Sequence, residues 1–222
     1  TVPATDLLNE EKLESFLTRY EEFMDCPDRH TAASRWSYHI KDTLLYMPLY
    51  ALARWNLFVN VSLENVTFAR FPEVERAGHR WGMVLPEDVL LETDINRKSL
   101  REVVSQKMLE ESFKPIYEKL STVGNVSPRL LWQNLAHVLY LRYPAWIEGH
   151  ENPKIRENFR KDYEWIQNLP PEQYEAANPF RQTFEKMHET EDSTGTPIRP
   201  GCCLNYRIEH YCPECPVETA RN

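Results

Sequence analysis

Apolar residues recur at helical spacing through most of this chain and alternate with polar ones only in one short interval. From Asp6 to Met24, residues Leu7, Leu8, Leu13, Phe16, Leu17, Tyr20 and Phe23 share one side of a helical repeat, with acidic residues between them. This predicts an amphipathic helix. Cys26-Pro27-Asp28 breaks the pattern, and Thr31 is placed to cap a longer helical stretch towards Trp55 that Pro48 kinks or divides. Helical periodicity returns from Arg97 to Leu120 and again after Ser127-Pro128, where proline falls at a first helical position. There Trp132, Leu135, Leu139 and Tyr143 share a face. Two more helices are predicted from Asn152 to Gln167 and from Pro171 to Met187, parted by Asn168-Leu169-Pro170.

Between Leu57 and Val84 the chain is rich in Val, Phe and Thr, with a turn-like Glu64-Asn65 and a polar interval from Glu73 to Gly78. Short antiparallel strands are predicted here. The expected fold is therefore α+β, mainly helical, with one antiparallel β unit around residues 57–85. A doubly wound parallel sheet is not expected, because regular βαβ alternation is missing. A division near residue 90 would give an N-terminal α+β part, residues 1–90, and a helical part, residues 91–222, ending in a cysteine-rich tail.

Composition narrows the partners. The 222 residues can bury a substantial core without disulfides, and 26 Lys and Arg stand against 34 Asp and Glu for a net charge of −8. That balance opposes binding to a phosphate backbone, so nucleic acid is not an expected partner. No apolar run spans a bilayer, and Thr1 to Glu11 lack the basic start and apolar stretch of an export signal, which leads to the expectation of a cytoplasmic protein. The six glycines, at 78, 82, 124, 149, 195 and 201, form neither a dinucleotide fingerprint nor a phosphate loop. No nucleotide or flavin site is expected. The histidines include no His-Glu-x-x-His, and His30, His39 and His137 fall on predicted helices or their ends as packed or solvent-facing rings.

The chemistry lies in the cysteines. Four of the five fall within the last 21 residues: Cys202 and Cys203 are adjacent, and Cys212-Pro213-Glu214-Cys215 follows after eight residues. Thiolates gathered this tightly in a cysteine-poor chain point to a shared metal centre. The donor set suits either a structural zinc site with four cysteine ligands or an iron–sulfur cluster. A vicinal pair does not readily form a zinc knuckle, because its side chains diverge in extended backbone, and a wider two-metal centre tolerates that divergence better. Cys202 and Cys203 could serve different metals or share one after a tight turn. Arg199, Arg207 and His210 are candidates to offset the sulfur charge. Cys26 has no thiol near it in sequence and reads as an inert cysteine. A thiol-redox role for Cys212-Pro213-Glu214-Cys215 would need a βαβ setting that the pattern does not offer.

The run Ile198-Arg199-Pro200-Gly201-Cys202-Cys203-Leu204-Asn205-Tyr206-Arg207, closed by Tyr211-Cys212-Pro213-Glu214-Cys215-Pro216, resembles the terminal signature of the FhuF-like ferric-siderophore reductases. The spacer of eight residues is shorter than is usual in that family. Leu131-Trp132-Gln133-Asn134-Leu135-Ala136 is similar to the family's helical Trp-x-Asn segment, and Asn178-Pro179-Phe180 to its short motif before the tail. Read from the residues alone, Trp132 is a core aromatic and Asn134 a helix-surface or capping amide. The resemblance implies a 2Fe-2S cluster held by Cys202, Cys203, Cys212 and Cys215, and one-electron reduction of Fe(III) in a siderophore. It also implies an external electron donor such as a ferredoxin or a flavoprotein reductase. The acidic surface favours a neutral or cationic hydroxamate chelate over an anionic catecholate.

Overall fold

The computed structural model describes residues 1–70, 81–86, 89–91, 95–170 and 178–219. The polar interval Glu73–Gly78 and the expected helix start at Pro171 lie outside these residues. The architecture is the mainly helical α+β arrangement expected from the sequence. Local chemistry moves several boundaries.

Asn9 interrupts the first predicted helix by accepting the Lys12 amide at 3.0 Å, so Ala4–Leu8 forms a 3-10 turn and α1 spans Glu10–Met24. Asp28, not Thr31, caps α2 (Arg29–His39): its carboxylate accepts the Thr31 amide at 2.8 Å and the Thr31 hydroxyl at 2.7 Å. A π-helical turn at Asp42–Tyr46 precedes α3 (Met47–Trp55), with Pro48 in the first turn, where its missing N–H costs no helical bond. The long helix predicted from Arg97 resolves into α4 (Arg97–Ser105), a π-helical segment Gln106–Phe113, and α5 (Lys114–Gly124), which again opens with proline in its first turn. α6 (Pro128–Glu148), α7 (Pro153–Gln167) and α8 (Pro179–Glu189) follow. Asn152 caps α7 and Asn178 caps α8.

The strands are short: β1 (Val2–Pro3), β2 (Phe58–Val59), β3 (Thr67–Arg70), β4 (Trp81–Val84) and β5 (Leu90–Leu91). β1, β3 and β4 form an antiparallel sheet in that spatial order, with Val2 opposite Phe68 and Phe68 opposite Met83. β2 and β5 form a separate antiparallel pair. Only β2, β3 and β4 fall in the predicted interval.

One hydrophobic cluster takes buried residues from both sides of residue 90, including Leu17, Leu52 and Phe68 before it and Leu120, Leu135 and Phe180 after it. Trp36 on α2 meets Phe16 at 4.6 Å, Phe68 at 5.2 Å and Tyr20 at 5.5 Å between ring centroids, all edge-on, and so joins the helical layer to the sheet. Trp132 packs edge-on against Tyr117 and Phe180, as a core aromatic should. A buried Asp162 on α7 pairs with both Arg97 and Arg101 on α4. α2 packs against α1, α5 and α6, and it also touches the C-terminal tail. Among the described residues no helix is long and apolar enough to cross a membrane.

Candidate metal centre

The tail leaves α8 through a polar turn and is then fastened at successive points. Asp192 accepts the Thr194 and Thr196 amides at 2.8 and 3.0 Å, a short Asx-type turn, and Ile198 N–H returns to the Thr190 carbonyl at 2.8 Å. Arg199 N–H reaches the Glu214 carbonyl at 3.0 Å, which brings the two cysteine-bearing stretches side by side. Between these fastenings the chain crosses α6 at Gly201. A Cβ at that position would lie 2.4 Å from Gln133 Oε1 and 3.1 Å from Leu130 Cδ1, so glycine allows the close approach.

Beyond the vicinal pair, Leu204 adopts a left-handed conformation at φ 65°, uncommon for a branched aliphatic residue. The turn serves the sulfurs. Leu204 N–H points at Cys202 Sγ at 3.4 Å, and Asn205 N–H bonds to the Cys203 sulfur. Asn205–Arg207 then forms a 3-10 turn, with the Asn205 amide donating to the His210 carbonyl at 2.8 Å, and stacked Tyr206 and Tyr211 close the loop. Cys215 N–H bonds to the Cys212 carbonyl at 3.0 Å and leads into α9 (Pro216–Thr219).

Cys203 hydrogen-bonds to Cys212 and Cys202 to Cys215, and the sulfurs of Cys202 and Cys203, like those of Cys212 and Cys215, also act on one another. Each pair has one buried member, Cys203 or Cys215, and one half-exposed member. Among the described residues, no group of three or more His, Cys, Asp or Glu side chains is placed to hold one metal ion.

The surroundings favour anionic sulfur. Arg35 on α2 directs Nη1 at Cys203 Sγ from 3.9 Å, and Arg199 lies buried beside the same cysteines. Among the described residues neither guanidinium has a carboxylate partner, and the Nε of each is buried without a hydrogen bond. Two buried cations without a counter-charge cost several kcal/mol (roughly) unless anions stand next to them. Cys203 supplies part of that charge, and the Glu214 carboxylate, which Arg199 helps to keep ionised, supplies more. The hydrogen bond with Cys212 holds the Cys203 thiol below its ordinary range against the opposing effect of burial, with Arg199, Arg35 and the Asn205 N–H acting in the same direction. The same hydrogen bond, together with burial, leaves Cys212 as the protonated member when no metal is bound. Burial raises Cys202. The Tyr38 ring carries Lys41 Nζ at 3.6 Å and Arg35 at 5.1 Å over its faces, a further cationic contribution behind the sulfurs.

Asn134 is not a surface or capping amide. It is fully buried, accepts a hydrogen bond from Arg199 Nη2, and donates to Ser34 Oγ at 3.3 Å and Ser37 Oγ at 3.2 Å. Ser34 in turn donates to the Cys203 carbonyl at 3.0 Å. The Trp-x-Asn segment therefore places one aromatic in the core and one amide at the junction of α2, α6 and the tail.

Other candidates fall differently. Arg207 pairs with Asp28 at 2.7 Å and with the Thr31 hydroxyl at 2.9 Å, holding the loop to the start of α2 rather than facing sulfur. His210 is exposed and contributes its carbonyl. His137, expected to be a bland helical ring, is buried with Nε2 3.5 Å from Glu214 Oε2, between the two cysteines of the second stretch. The neighbouring His137 ring holds the Glu214 carboxyl down, while burial and Arg199 hold His137 down, so a carboxylate stands against a neutral imidazole at neutral pH. Burial pushes the half-buried Cys26 thiol up to about 11, as befits an unreactive cysteine. A surface groove of about 330 Å³ opens beside the tail, bordered by Gln133, Gln182, Lys186 and Pro200.

Arg35, Ser34 and Ser37 lie in a helix far from the cysteines in sequence, with nothing local to mark them. No protein-family profile, curated protein or solved structure matches the chain.

Proposed function

We propose that this protein is a ferric-chelate reductase in which Cys202, Cys203, Cys212 and Cys215 hold a 2Fe-2S cluster, and that its substrate is Fe(III) bound in a siderophore. The observation that carries the reading is the gathering of four thiols beside two buried guanidiniums that, among the described residues, form no ion pair with a carboxylate. That donor set suits a two-metal, thiolate-ligated centre, and the tail's resemblance to the FhuF-like reductases supplies the substrate class. When bound, such a cluster supplies one electron at a time.

The chemistry asked of the chain is then modest. Fe(III) held by hard oxygen donors takes one electron and becomes Fe(II), which those donors grip less tightly, so the metal leaves and the chelator is freed. No acid or base needs to move a proton in that step. The polypeptide holds the sulfurs, directs the Leu204 and Asn205 N–H groups at them, and offsets their charge with Arg35 and Arg199. Gln133, Gln182 and Lys186, in the groove beside Pro200, offer amide and cationic edges to a neutral hydroxamate chelate. Electrons come from a separate donor such as a ferredoxin or a flavoprotein reductase, because no nucleotide-binding motif is present. A cytoplasmic location accords with that supply.

Anaerobically isolated protein tests the reading. Two irons and two labile sulfides per chain, with a paramagnetic signal after dithionite that disappears on adding a ferric trihydroxamate, are the expected results. Colourless protein that carries zinc and no labile sulfide would establish the alternative, a structural zinc site on the same four cysteines.

A further inference from the structure

One buried cation reaches a cysteine directly: Arg35 directs Nη1 at Cys203 Sγ from 3.9 Å. Arg199 is held in place by Asn134, which also binds Ser34 and Ser37, and Ser34 grips the Cys203 carbonyl. Arg35 and Ser34 are neighbours on α2, so one helix brings both a positive charge and a backbone tether to the same cysteine. Arg207, by contrast, directs its charge to Asp28.

Resting on the 2Fe-2S reading, we infer that Arg35 is a positioning residue for electron transfer: together with Arg199 it raises the reduction potential of the centre, acting through Cys203, the cysteine it approaches. Adding an electron increases the negative charge on the sulfurs. A fixed guanidinium beside the sulfur stabilises the reduced state more than the oxidised one. This is what a reductase needs in order to accept electrons from a mild donor. Because the Arg35 contact is long and single rather than bidentate, the requirement is for charge more than for fork geometry.

The test compares the full chain with Arg35→Gln, Arg35→Lys and Arg207→Gln. Each is loaded with iron and sulfide, assayed for both, and titrated anaerobically with the paramagnetic signal as readout. Arg35→Gln is expected to keep its iron and sulfide while its reduction equilibrium moves tenfold or more towards the oxidised form, about 59 mV per factor of ten for one electron. Arg35→Lys should recover most of that shift, and Arg207→Gln should show none. A fully loaded Arg35→Gln protein with the parental potential overturns the inference while leaving the cluster reading intact, as does an equal loss in the Lys variant. Absence of labile sulfide from the parent protein overturns both. Thermal unfolding of each variant separates a charge effect from a general loosening.

Discussion

The buried side-chain oxygen of Asn134 accepts a hydrogen bond from the buried guanidinium of Arg199, and this one contact couples the middle of α6 to the residue that leads into the cysteine tail. The Asn134 nitrogen is meanwhile committed to two serines on α2. Asn134→Ala should therefore cost about 3 kcal/mol of stability, because it strands a buried charged donor and takes from two serine hydroxyls the hydrogen bond they accept, in addition to opening a small void. Urea unfolding of protein without metal measures this directly. A loss of a few tenths of a kcal/mol would show that the network is optional.

The approach of the tail to α6 makes Gly201 the most restrictive position near the sulfurs. Gly201→Ala meets the mobile end of Gln133 first and Leu130 next, so a cost of about 1 kcal/mol is expected, with Gly201→Val costing more. The more sensitive readout is the rate at which a chelator strips iron from loaded protein, which should rise in the same order.

Asp28 ties acid stability to the tail. Burial opposes its ionisation, but the Thr31 amide and hydroxyl and Arg207 outweigh it and hold the carboxyl below the ordinary 3.8. A depressed folded value means that the contribution is complete above the unfolded value and is lost as pH falls through the folded one. Asp28→Asn, which preserves the cap acceptor but not the ion pair, should be less stable than the parent at pH 7 by up to about 1 kcal/mol. The two proteins should converge as the pH falls from 7 through the folded value of this carboxyl. Chemical denaturation across that range decides it.

Cysteine replacements should divide sharply. Cys26→Ser is expected to retain full iron and sulfide, whereas Cys203→Ser and Cys215→Ser, at the buried member of each pair, should each lose most of both. Metal analysis and labile-sulfide assay on freshly isolated protein provide the check. Iron loss in the Cys26 variant alone would move the centre elsewhere.

The parts of this fold that depend on near neighbours were legible. Helical periodicity located the body of α1 and of α5 to α7, and the spacing of Cys202, Cys203, Cys212 and Cys215 marked the thiols that the tail brings close together. Legibility failed where two short polar residues competed for one task, as Asp28 and Thr31 do at the start of α2: both can cap, and only the backbone geometry selects Asp28. β1 escaped because two residues carry no period, and its pairing with Thr67 and Phe68 is non-local. Arg35, Ser34 and Ser37 had no local signal, since a helix with polar residues around its circumference gives no sign of which face a distant tail will cover. The two π-helical segments left no mark on composition either; each accommodates a proline at the start of the helix that follows.

Because Ser34, Arg35 and Asn134 precede the cysteines along the chain, a growing polypeptide has already presented the groups on which the tail rests before the thiols leave the ribosome. Under the cluster reading proposed above, the sulfurs are then the last of the site's groups to be made.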